Sequence, residues 1–140
     1  MVNGILFFSV LVSQVFNGWD TLSKLKIDNQ YDELLEESFE VPVFSDDLLV
    51  FDGEEILIDG YVIPLQQGTN QDYFVLSRFP YNSCFFCGNA GPETVAEVYT
   101  KGKVSFKDEY VEVSGTLRLN AEDPLHLFYI IENASVRSLE

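Results

Sequence analysis

The sequence predicts an all-β protein, a small five-stranded OB-like barrel behind an irregular or short-helical N-terminal segment. Three observations predict it. Residues 110–119, YVEVSGTLRL, alternate between apolar and polar positions, the period of a half-buried antiparallel strand. The apolar run EEILIDGYVIPLQ carries Gly60 at its middle, where a bulge or a barrel bend fits. Five strand-like runs with short polar connections follow residue 52, and no long helical period interrupts them.

The first nineteen residues, MVNGILFFSVLVSQVFNGW, contain no charged side chain. Their apolar run is too short for a membrane helix, which needs roughly 20 residues. It fits the apolar region of a secretory signal peptide over residues 1–18, although no Lys or Arg precedes it. Cleavage near Gly18 would start the mature chain at Trp19 and deliver a soluble, exported, periplasmic protein. No other stretch is apolar enough to span a membrane. Trp19 and Asp20, at that start, read as a docking contact.

Residues 19–50 form an acidic approach segment. A short helix is expected over residues 31–39, Pro42 argues against a central strand, and Ser45 fits the N-cap of a turn over 46–50. The barrel domain is residues 51–140. Its strands are expected at 54–66, 72–79, 93–100, 110–120 and 125–139, with a possible edge strand in the connection 101–109. In the fourth, Val111, Val113, Leu117 and Leu119 share one face with Gly115. A glycine-bent first strand that serves two sheets and a closing hairpin favour the OB-type barrel over a simple sandwich.

The chain has 140 residues, enough for one core, and a formal charge of −15, which repels phosphate backbones and argues against a nucleic-acid partner. Hydrophobic residues make up 46% and aromatics 14%, too much for a disordered acidic chain. Asn133-Ala134-Ser135 matches a glycosylation sequon, a pattern common by chance. No GxSxG, HExxH, phosphate-loop or dinucleotide fingerprint appears. The acidic pairs Glu36-Glu37, Asp46-Asp47 and Glu54-Glu55 are sequence neighbours, which point to opposite faces in a strand. With one His and no nucleophile motif, the chain does not read as an enzyme.

The chemistry concentrates in SCFFCGNAGPETV, residues 83–95, which holds both cysteines, Cys84 and Cys87. Two thiolates at this spacing reach one ion, and Gly88 and Gly91 let the backbone turn around them. Candidate further ligands are His126, the only histidine, and Glu93; zinc is the first choice and copper(I) the second. Such a site requires the third and fifth strand regions to meet. In an oxidising compartment the same pair can close a disulfide that stiffens the loop. A thiol–disulfide oxidoreductase would need a thiolate at a helix N-terminus, and a β-like segment follows instead. Of Phe85 and Phe86, one is expected in the core and the other at the surface.

The run LVFDGEEILIDGYVIPL, YFVLSRFPYNSCFFCGNAGPETVAEV, VSGTLRLN and YIIENASV resembles a family of small exported bacterial proteins of unknown function, over roughly residues 19–137. The CFFCG-AGPE form resembles its Bacteroidetes branch. The wider family has Cys-x-His before a proline run. Cys84 matches that Cys, Phe86 stands at the His position, Cys87 follows it, Pro92 falls in the proline run, and Glu93 replaces a usual Asn. The resemblance implies an exported OB-like domain and association with ABC-type permeases or other envelope membrane complexes with metal links. Two functions follow as expectations. One is a non-enzymatic accessory protein that binds or handles metal through the Cys84-x-x-Cys87 loop. The other is an envelope interaction module whose cysteines form a structural disulfide.

Overall fold

In a computed structural model, residues 14–66, 70–85, 88–105 and 109–139 are described. Two short helices, α1 (Gly18–Leu22) and α2 (Asp46–Leu49), bracket a hairpin of β1 (Leu25–Asp32) and β2 (Glu37–Phe44). The barrel strands follow: β3 (Glu55–Pro64), β4 (Asn70–Ser77), β5 (Val95–Ser105), β6 (Tyr110–Leu119) and β7 (Tyr129–Ser138). They close in the order β3-β4-β5-β7-β6 and back to β3. The β5–β7 pairing is parallel and every other is antiparallel. This is the five-stranded Greek-key barrel of an OB-type fold.

Strand β3 joins both halves of the wall, as a bent first strand should. Glu55 to Tyr61 pair with β6, and Tyr61 to Pro64 pair with β4. The turnover falls beside Gly60, where a Cβ would lie 2.7 Å from the Ser77 carbonyl oxygen and 2.9 Å from Leu76 Cγ. Only a residue without a side chain lets the strands approach so closely. Strand β6 keeps its alternation: Val111, Val113, Gly115 and Leu117 face the barrel core, while Leu119 at the strand end is half-buried. Opposite Gly115, β7 carries one extra residue, and Asn133 takes a left-handed conformation (φ 53°) in that bulge.

Inside the barrel, Phe74, Leu76, Val98, Val113, Leu117, Tyr129 and Ile131 form the core, all fully buried. Leu22 of α1 and Leu48 of α2 plug it, also with no exposure. The Tyr129 hydroxyl donates to the Leu22 carbonyl, tying the plug to the last strand. Trp19 Nε1 donates to the Asp59 carbonyl at 2.7 Å, and Asp20 pairs with Arg78 at 3.2 Å. These two residues thus dock the N-terminal segment on the barrel. Phe16 adds an edge-to-face contact with Phe51 at 5.2 Å. Residues 1–13, most of the expected signal segment, lie outside the described residues. Among the described residues no helix is long and apolar enough to cross a membrane.

The N-terminal segment departs from expectation. Residues 31–39 do not form a helix; they make the end of β1, a turn over 33–36 and the start of β2. The turn is closed by Asp32 Oδ1, which accepts from the Leu34 and Leu35 amides at 2.8 and 3.1 Å, with Glu36 at φ 52°. Pro42 is accommodated because β2 pairs with β1 alone among the described residues, so one of its edges needs no donor. Ser45 does occupy the N-cap position of α2, but its Oγ makes no capping bond. The expected third strand and the edge strand after it are one element, β5, which bulges between Tyr99 and Val104 opposite β4.

Candidate functional site

On β4 and β5 alternate side chains point into the barrel or out from its wall. The outward set here is unusually well covered. Ile63, Val75 and Val95 make a second apolar cluster on the outer wall, and the cysteine loop closes over it. Cys84 belongs to that cluster and has no exposed surface. Phe85 and Leu127 pack at its margin. The loop holds itself together by main-chain bonds. The Ser83 amide donates to the Pro80 carbonyl at 2.8 Å, and the Gly88 amide to the Phe85 carbonyl at 2.9 Å. Asn89 Nδ2 donates to the Asn82 carbonyl at 2.9 Å. Gly88 adopts φ 77°, so its freedom is used; Gly91, at φ −83°, is ordinary extended backbone. Phe86 and Cys87 lie outside the described residues.

Next to this cluster the wall carries Glu97, only 5% exposed. A buried carboxylate needs partners, and it has two. The Tyr73 hydroxyl donates to Oε1 at 3.1 Å, and His126 Nδ1 lies 3.0 Å from Oε2. Tyr73 in turn stacks on Tyr99, with ring centroids 4.8 Å apart. Burial first, and then the Glu97 charge, holds the Tyr73 phenol well above the ordinary tyrosine range. The same two causes raise Tyr99. An ionised carboxylate only accepts, so a contact of this kind suits an imidazole that donates from Nδ1; the other ring nitrogen, Nε2, lies 3.9 Å from Asp123 Oδ2.

His126 does not begin the last strand. It sits in the turn before β7, which Asn120 organises. Asn120 Nδ2 donates to the carbonyls of Asp123, His126 and Leu127 at 2.8, 3.3 and 3.0 Å, while its Oδ1 accepts from the Asp123 amide at 3.0 Å. The third and fifth barrel strands do meet, as β5 and β7, and this is what brings His126 to Glu97. Glu93 is half-buried in a single 3-10 turn over residues 92–94, where its carboxylate folds back over Gly91 and its charge helps burial to raise the Tyr129 phenol. Among the described residues, no three His, Cys, Asp or Glu side chains converge where one ion could sit.

A cleft of about 740 Å³ opens beside this region. The β1–β2 hairpin forms one wall. The turn over 120–128, with Phe85 and Pro92 of the cysteine loop, forms the other. The structure therefore places the cysteine loop and His126 on one wall of one cleft, with the hairpin opposite.

No family model matches the chain, and no curated protein does. The chain is similar to a DUF3299 family protein. That protein is a solved structure from Pseudomonas aeruginosa, with 22% sequence identity and a TM-score of 0.45. The match covers 65% of this chain and 66% of that one, just under two thirds of its length. A likeness of this size carries no ligand or partner with it.

Sequence reasoning missed Glu97 and the hairpin. Glu97 was legible only as the single charge in the apolar stretch VAEVY. The hairpin offered only Asp32 ahead of a turn-like acidic run, where a short helix of poor periodicity was the expectation.

Proposed function

We propose that this protein is an exported, non-enzymatic interaction module of an envelope membrane complex, in which the cysteine loop builds a cleft wall. The observation that supports it is the place of Cys84. Its side chain is wholly buried among Ile63, Val75 and Val95, while the next residue, Phe85, borders the cleft. Metal binds the thiolate, and a charge in an apolar cluster carries a desolvation cost. A Cys84 that anchors the loop incurs none. The exported family that the CFFCG-AGPE motif resembles, with its permease association, supplies the setting for this reading.

One observation favours a second reading, metal handling through Cys84 and Cys87 with His126 or Glu93. The Glu97–His126 contact is the arrangement that orients metal-bound imidazoles, a carboxylate on one ring nitrogen, and the other ring nitrogen faces a second carboxylate, Asp123, at 3.9 Å. Zinc or copper(I) is the ion on that reading.

The deciding experiment counts metal by elemental mass spectrometry and thiols by titration on one sample of the full chain, purified without chelator. The interaction reading expects no stoichiometric metal and a loop whose cysteines do not respond to chelation. One metal per chain, with thiols released only on chelation, would establish the metal reading in its place.

A further inference from the structure

We infer that the cleft between the hairpin and the barrel takes an extended, basic segment of a partner protein, anchored by apolar side chains and added as a strand to the free edge of β2. The inference rests on the interaction reading above and names the partner's chemistry.

Three observations carry it. The first is shape. Residues 38–42 of β2 all border the cleft. Five in a row bring the strand's main chain, and not one face of its side chains alone, to the cleft, and residues 30–32 of the paired β1 border it as well. The outer edge of β2 is open: it is hydrogen-bonded to β1 and to no other strand among the described residues. An open strand edge beside a groove is the site at which extended peptides add as a further strand.

The second is chemistry. Phe39 stands on the hairpin side, and Phe85, Leu127 and Phe128 on the barrel side. They give apolar seats to the alternate side chains of an extended peptide. The third is charge. Asp32, Glu40, Glu122 and Asp123 border the cleft, and no Lys or Arg does among the described residues. An occupant with Lys or Arg complements this rim. A second copy of a chain with net charge −15 does not, and neither does an anionic surface.

The test uses the full chain and a fluorescein-labelled decapeptide of alternating Lys and Val, followed by anisotropy at about physiological salt, where long-range attraction is screened beyond roughly 8 Å. The inference expects saturable binding by this peptide. It expects none by the same peptide with Glu for Lys, and at least tenfold weaker binding with Ser for Val. The double variant D32N/E40Q should lose at least fivefold in affinity, while E54Q/E55Q, which removes the same charge outside the cleft, should leave it unchanged. Equal losses from both pairs would reduce the effect to general attraction and overturn the inference, as would Ser-for-Val binding of full strength. A self-association abolished by D32N/E40Q would assign the cleft to a second copy instead. Absence of peptide binding in a metal-free chain sinks this inference alone; stoichiometric metal on the cysteines sinks the reading beneath it.

Discussion

His126 Nδ1 lies 3.0 Å from Oε2 of Glu97, joining the turn before the last strand to the wall of the barrel. The two residues are 29 positions apart, and only the parallel pairing of β5 with β7 brings them together. The contact fixes the turn that forms one side of the cleft.

Glu97→Ala removes the acceptor of both Tyr73 and His126. A buried group left without its partner costs about 1–3 kcal/mol. His126 is part-exposed, so His126→Ala should cost less, about 1 kcal/mol or under. Urea unfolding of the two variants checks the order. Equal midpoints would show that the Tyr73 contact adds nothing to what His126 contributes, and midpoints unchanged from the parent chain would show that neither contact stabilises the fold.

Stability should fall as pH rises past about 10, the ordinary tyrosine value. Burial raises the phenols of Tyr73, Tyr99, Tyr110 and Tyr129 in the fold. Above pH 10 the unfolded chain therefore sheds protons that the folded chain still holds. Unfolding then becomes easier with each increment of pH, whereas below that range these groups contribute fully. An ultraviolet titration of the native chain should show a late-ionising tyrosine class that merges with the early one in urea. Glu97→Gln should advance the Tyr73 step, because the Glu97 charge is one of its causes.

Gly60→Ala should destabilise the barrel by about 1–3 kcal/mol, the usual cost of overpacking. The new Cβ would meet the backbone oxygen of Ser77 at 2.7 Å, and backbone in a closed barrel has little room to yield. Gly102→Ala is the control. Nothing lies within 4 Å of its Cβ position, so its thermal midpoint should stay close to that of the parent chain.

Tyr129→Phe deletes the hydroxyl that donates to Leu22 and should cost about 1–2 kcal/mol. Its effect should extend to the N-terminal plug. Trp19, the only tryptophan, is hydrogen-bonded to Asp59 and reports whether α1 stays docked. A red shift of its emission in Tyr129→Phe at conditions where the barrel remains folded would show that the plug is released first. Unchanged emission up to global unfolding would show that plug and barrel melt together.

The barrel was legible because burial has a local period. Val111, Val113 and Leu117 announce their face within one strand, and Gly60 announces a bend by the side chain it lacks. Both are written in adjacent residues. The candidate ligands were legible as residue types, and their surroundings were not. Cys84 lies in an apolar cluster and His126 turns to Glu97. Cys87 lies outside the described residues.

By itself, then, the sequence determined a bent first strand and the alternation of the strands that close the barrel. Each depends on local spacing or on one residue's backbone freedom. The tertiary structure decided the rest. The β1–β2 hairpin is exposed on most of its surface, so no burial period marks it. The Glu97–His126 pair and the acidic cleft arise where distant segments meet, and closure of the barrel, not any local preference, sets those distances.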